Sequence, residues 1–263
     1  MTRTPAPHPA VIWGVPLVAV AILVALLATG SNRGAFIAIN AWSHFTGPTP
    51  WPFLTVLGDT AVAVSLFLPF ALRRPDVLRA LVVSALFATL FVHGLKPLLA
   101  EPRPPAVIEP GAITIIGPAY TTRSFPSGHS TTIFMAACLI WLHFRSAWLR
   151  ALVLTIAIAV GLSRVVVGVH WPIDVAGAAA GGWLSGAIGA RLARRWPTGL
   201  RTSVQAVLTG IGTACAIALL AGLQTGYPQA APLQYAVAIV ALVALALAIR
   251  TKFHESHQDN NAR

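Results

Sequence analysis

Long apolar runs recur along this chain, separated by short clusters of charge, proline and glycine. Eight of them, roughly 11–29, 52–72, 79–99, 127–144, 147–163, 173–192, 203–222 and 233–250, approach the length a membrane-crossing helix requires. That length is about 20 residues, with about 17 still workable. The pattern predicts an all-α polytopic membrane helix bundle with about eight transmembrane helices. The run from Val11 to Thr29 exceeds the apolar core of a cleaved signal peptide and is expected to stay as an anchor. Residues 1–200 are expected to form the core, 201–252 two additional helices, and 253–263 a cytoplasmic tail that is disordered from Glu255 to Arg263.

Composition agrees with a membrane protein. Of the 263 residues, 56% are hydrophobic and 10% charged, far from the balance of an ordinary soluble domain. The formal net charge of +11 would fit a nucleic-acid binder only if the bases formed a stripe on a polar surface. They sit instead between apolar runs, so no nucleic-acid partner is expected. Short cytoplasmic loops retain lysine and arginine. With the N-terminus inside, 13 of the 18 bases fall on the cytoplasmic side: Arg3, Arg73, Arg74, Arg79, Arg145, Arg150, Arg191, Arg194, Arg195, Arg201, Arg250, Lys252 and Arg263. Arg33, Lys96, Arg103, Arg123 and Arg164 remain on the outer side. Cys138 and Cys215 lie inside apolar runs and read as packing residues.

Cations at the mouths of apolar segments are costly and usually functional. Lys96, Arg103 and Arg164 belong to three short blocks: Lys96 with Arg103-Pro104, then Pro126-Ser127-Gly128-His129, then Ser163-Arg164 with His170 and Asp174. On the topology above all three lie at the outer ends of their helices, at one depth. The two arginine forks and the lysine charge suit phosphate oxygens. Ser127 reads as an N-cap followed by Gly128, which opens an anion-binding helix start. Trp171-Pro172 starts another helix, from whose third position Asp174 can turn back and orient His170.

These blocks resemble the three-part signature of the type 2 phosphatidic acid phosphatase family, with each signature position matched in order and spacing over roughly residues 50–195. The resemblance implies a six-helix phosphatase core. It also implies a phosphohistidine intermediate, with His170 as nucleophile, Asp174 as its partner and His129 as the acid that protonates the leaving oxygen. Phosphate binding is then expected from Lys96, Arg103, Ser127, Gly128 and Arg164. Soluble acid phosphatases and vanadium haloperoxidases share the signature, so the motif alone leaves the reaction open.

A two-metal mechanism needs a carboxylate cluster, whereas the acids are Asp59, Asp76, Glu101, Glu109, Asp174, Glu255 and Asp259, few of which can reach the pocket. No metal and no cofactor are expected. Asp59, an intramembrane acid, is a candidate to orient a site cation, and His93 reads as packing. The runs Ala176–Gly182 and Gly186–Ala190 are read as close helix contacts. The expected function is phosphatase action on a lipid phosphate or diphosphate at the periplasmic face of a bacterial inner membrane, with undecaprenyl diphosphate favoured. Phosphatidylglycerophosphate, phosphatidic acid and lipid A phosphate are alternative substrates. Lipid-to-lipid phosphotransfer and lipid transport are the alternative functions. The outer loops are expected to be too short to roof the pocket, so that lipid enters sideways. The expected partners are the lipid substrate and membrane lipids, with no obligate protein partner.

Overall fold

The computed structural model describes residues 9–196, 202–223 and 225–261, and every regular element among them is helical. Helix α1 (Pro9–Ala28) is followed by α2 (Asn32–Asn40) and α3 (Trp42–Thr46). The chain turns through 110° between α1 and this pair, with Gly30 supplying the left-handed backbone (φ 64°) that the turn requires. The segment after the first span is therefore helical rather than a plain loop. The span expected over 52–72 is broken into α4 (Pro50–Val56) and α5 (Thr60–Phe67), bent by 64°. Asp59 sits at the break and caps α5, its carboxylate accepting from the Ala61 and Val62 N–H groups at 2.8 and 3.4 Å. It begins a helix rather than orienting a site cation.

Then come α6 (Pro75–Leu99), the short α7 (Pro104–Val107), α8 (Gly128–His143), α9 (Ala147–Val166), α10 (Pro172–Ala193), α11 (Thr202–Leu220) and α12 (Ala231–Asn261). Because α12 continues to Asn261, residues 255–261 of the tail expected to be disordered are helical, and the last two of that tail lie outside the described residues. Among the described residues, four helices are long and apolar enough to cross a membrane, or up to six if each bent pair forms one span. The expected eight is not reached on that measure, because α8 has only 16 residues and α10 is rich in glycine and alanine. The physical reason lies in packing. Helix α10 lies against α1, α6 and α8, where small residues let backbones meet. A Cβ on Gly182 would stand 2.3 Å from Thr131 O, and one on Gly189 2.5 Å from Ser84 Cα. Helices so enclosed face little lipid and have no need of large apolar side chains.

The two ends of the bundle differ in charge use. At one end Arg79 donates to Ala193 O and Trp196 O at 2.9 and 2.8 Å. Arg150 there donates to Trp141 O and Phe144 O at 3.1 and 2.9 Å. These arginines satisfy carbonyls left open at the C-terminal ends of α8 and α10. The starts of α8 and α10 and the ends of α6 and α9 meet at the opposite end.

Candidate active site

Each signature block is placed by local backbone chemistry. Ser127 caps α8, its hydroxyl accepting from Ser130 N at 3.4 Å and Ser130 Oγ at 3.0 Å. Its own N–H donates to Asp174 O at 3.2 Å, which ties the start of α8 to the start of α10. The Ser127 N–H is occupied in this way, whereas its hydroxyl hydrogen and the N–H groups of Gly128 and His129, first in the helix and without intrahelical acceptors, are open to an anion. Pro172 opens α10 and Asp174 turns back as expected: its Oδ2 accepts from Trp171 N at 2.8 Å and pairs with His170 Nδ1 at 3.1 Å. Ser124 Oγ donates to the same oxygen.

His170 is thus held on both sides of its ring. Nδ1 faces Asp174, and Nε2 lies 3.2 Å from Arg103 NH1. Arg103 is anchored by bonds to Val169 O at 3.1 Å and Thr122 O at 2.8 Å, and its guanidinium lies over the Tyr120 ring at 5.1 Å. Burial, followed by the charges of Arg103, Arg164 and Lys96, holds the His170 imidazole well below the usual histidine range. Its neutral form is therefore the resident one.

Arg164, on the last turn of α9, donates to the Tyr227 hydroxyl at 3.0 Å and lies 5.7 Å over that ring. The neighbouring Ser163 is pinned to α4 through Thr55 at 2.7 Å. Lys96 is half-buried on the last turn of α6, within electrostatic reach of Arg103, Arg164 and Asp174. His129 lies on the first turn of α8, its buried Nε2 without a hydrogen-bond partner among the described residues. The backbone break at 57–59 presses against it, since a Cβ on Gly58 would come within 2.9 Å of both His129 Cβ and His129 O. All eight predicted site residues therefore gather at one end of the bundle.

The expectation of an unroofed pocket is not met. Arg103, Arg164, His170 and Asp174 are 7%, 2%, 2% and 0% exposed, because loop segments cover them. Arg103 N donates to Thr121 O at 2.9 Å and Ile116 N to Val167 O at 3.1 Å, while Gly117 abuts Tyr227. A cleft of about 170 Å³ between α5, α6 and α8 reaches the site from the side, lined by Asp59, His93 and His129 near its polar end and by Leu81 and Met135 far from it. Thus His93 faces the cleft rather than packing in the core.

Several contributors escaped the sequence reading. Asn40, in α2, donates to Thr114 O and Val166 O, both at 2.8 Å, and accepts from Thr114 N at 2.9 Å. It thereby fastens the covering loop to the end of α9. Asn32 accepts from Ile173 N at 3.2 Å at the start of α10. Ser124, Tyr120 and Tyr227 likewise lie outside the signature.

Residues 77–197 match the sequence model of the PAP2 superfamily. A lipid A 1-phosphatase of Rhizobium etli is 37% identical over 111 residues, 40% of this chain and 46% of that protein. An undecaprenyl-diphosphatase of Sulfolobus acidocaldarius is 36% identical over 106 residues, 40% of this chain and 50% of that protein. The match thus spans about half the length of these curated relatives. The crystal structure of Aquifex aeolicus LpxE superposes with a TM-score of 0.56 at 27% identity, covering 61% of this chain and 94% of that one.

Proposed function

Because residues 77–197 belong to the PAP2 superfamily, we propose that this chain is a membrane lipid phosphatase acting through a phosphohistidine on His170. The observation that carries the reading is the hydrogen-bonded row Asp174–His170–Arg103, with 3.1 Å on one side of the imidazole and 3.2 Å on the other. A carboxylate on Nδ1 keeps the proton there and leaves the Nε2 lone pair for attack. A phosphoryl group gripped by Arg103 stands beside that lone pair, replacing the Arg103–Nε2 contact with one to phosphate oxygen.

In the first step Nε2 forms a bond to phosphorus as the bond to the lipid oxygen breaks, and His129 gives its proton to that oxygen. In the second, water attacks phosphorus, His129 takes a proton from it, and the P–N bond breaks to release phosphate. Lys96, Arg103 and Arg164, with the Gly128 and His129 N–H groups, balance charge on the equatorial oxygens. Each aimed donor contributes about 2.7–4 kcal/mol. Phosphate monoester hydrolysis demands accelerations up to about 10²¹-fold, so several such donors are needed.

The substrate we favour is undecaprenyl diphosphate at the periplasmic face of a bacterial inner membrane. The segregation of bases to the other end of the bundle supports that orientation. The cleft along α6 supports lateral entry: its lining runs from Leu81 to His93, about 18 Å of helix, so the lipid tail can remain in hydrocarbon while the headgroup reaches His129. The test is phosphate release by the purified protein in detergent from undecaprenyl diphosphate, phosphatidylglycerophosphate, a lipid A phosphate and glucose 6-phosphate, with His170→Ala as control. Turnover of the lipids and its loss in the variant are expected. Equal use of glucose 6-phosphate would overturn lateral entry, and full activity of His170→Ala would overturn the mechanism.

A further inference from the structure

Helices α11 and α12 lie outside the residues that match the family, and their sequence invites no reading beyond packing. Their connection does more. It carries Tyr227, 2% exposed, whose hydroxyl accepts from Arg164 NH1 at 3.0 Å and whose ring lies beneath the same guanidinium. The connection is itself held in place. Gln234, in α12, donates to Thr225 Oγ1, and Tyr227 fits against a glycine, since a Cβ on Gly117 would stand 2.7 Å from Tyr227 Cε1. Gly117 belongs to the loop that also carries Tyr120, beneath Arg103.

We infer that Tyr227 is a positioning residue of the phosphate pocket, and that the C-terminal helix pair serves to deliver it to Arg164. The inference rests on the phosphatase reading above. Arg164 has no carboxylate partner among the described ion pairs, and its Nε has no partner among the described residues, so Tyr227 is what sets the rotation of its fork. A guanidinium cannot accept a hydrogen bond, so the hydroxyl oxygen receives the Arg164 proton and the tyrosine's own hydrogen stays free to donate. No described residue accepts it, and a phosphate oxygen held by Arg164 would lie beside it. A neutral hydroxyl satisfies the buried arginine without cancelling its charge, which a carboxylate would do.

The test uses the full chain in detergent and the variant Tyr227→Phe, which keeps the ring and its packing. Two readouts are taken, kcat/KM on a lipid phosphate and the affinity for vanadate measured by direct binding. Loss of a hydrogen bond to a charged group predicts a fall of about 10-fold or more in both, and a lowered thermal midpoint as well, because Arg164 loses a buried partner. A variant that equals the wild type in both would overturn the inference. A cycle with Arg164→Lys separates positioning from general stability. If Tyr227 acts through the arginine fork, adding Tyr227→Phe to Arg164→Lys costs less than about 2-fold, whereas a full additional 10-fold loss would refute it. Failure of the wild type to hydrolyse any lipid phosphate while still binding vanadate would sink the phosphatase reading and leave the vanadate arm to decide on Tyr227.

Discussion

Replacing Asp174 by asparagine separates orientation of His170 from stabilisation of its charge. Oδ2 of Asp174 meets three donors, from Ser124, Trp171 and His170, so the asparagine must place its carbonyl there. The imidazole then keeps its tautomer and position. What disappears is the negative charge 3.1 Å from Nδ1. At an effective dielectric constant of about 20, unit charges at that separation attract by roughly 5 kcal/mol. With about half a positive charge on the ring as Nε2 bonds to phosphorus, the barrier rises by roughly 2.7 kcal/mol, a loss of about 100-fold in kcat. Stability should change far less, because the variant no longer buries a carboxylate while its new NH₂ lacks an acceptor. Steady-state kinetics on a lipid phosphate, paired with the thermal midpoint, measure both. The expected result is kcat down about 100-fold with KM within about 3-fold. Retention of more than a third of wild-type kcat would refute the view that Asp174 stabilises charge on the nucleophile.

Three further outcomes follow from named contacts. Gly58→Ala would drive a methyl group to 2.9 Å from His129 Cβ, His129 O and Val160 Cγ1. It should cost about 1–3 kcal/mol of stability and at least about 10-fold in kcat through displaced His129, while Gly94→Ala, which meets nothing within 4 Å, should be near neutral. Wild-type kinetics in Gly58→Ala would deny that the helix break positions His129. The second outcome concerns pH. The His170 pKa lies well below the ordinary histidine value, so on acidification the ring stays neutral through about pH 6.5. Ring-nitrogen NMR of labelled protein, assigned by loss of the signal in His170→Ala, checks this, and a protonated His170 at that pH would contradict it. Third, a cysteine placed at Gln229 should react with an impermeant reagent applied to intact cells, and one at Arg145 should not; the reverse pattern would invert the proposed orientation.

Much of the site was legible because its chemistry is written in short local blocks. Ser127 as a cap and Asp174 turning back on His170 follow from backbone rules spanning three or four residues, and the structure reproduces both. The small-residue runs in α10 likewise announced close packing, realised against Thr131 and Ser84. What could not be read depends on distant partners. Nothing local to Tyr227 signals that it meets Arg164, 63 residues earlier. The same holds for Asn40, whose three bonds reach residues 74 and 126 positions away. The break at 57–59 was hidden because its flanks are apolar, so hydropathy ran through it as one span. Gly58 and Asp59 marked the place, but an acid that caps a helix and one that pairs with a cation look alike until the helix is seen to start there.

The way cations are held at this end of the bundle bears directly on what it can bind. A buried arginine is ordinarily neutralised by a carboxylate, yet among the described residues neither Arg103 nor Arg164 forms an ion pair, and Asp174 pairs with the neutral His170 ring. Arg103 is satisfied by carbonyls and the Tyr120 ring, and Arg164 is held by the Tyr227 hydroxyl and ring, its Nε unpaired among the described residues. Tyrosine faces and carbonyl dipoles stabilise a guanidinium without cancelling its charge. Lys96, Arg103 and Arg164 set against Asp174 leave a net charge of about +2 when all four are ionised, which matches a phosphoryl dianion. A site whose arginines were closed by carboxylates would be better satisfied in isolation and poorer at drawing a phosphate out of water. On the proposed reading the two tyrosines hold the cations in the protein while their field stays directed at the substrate, which gives the connection between α11 and α12, beyond the matching segment, a part in the site.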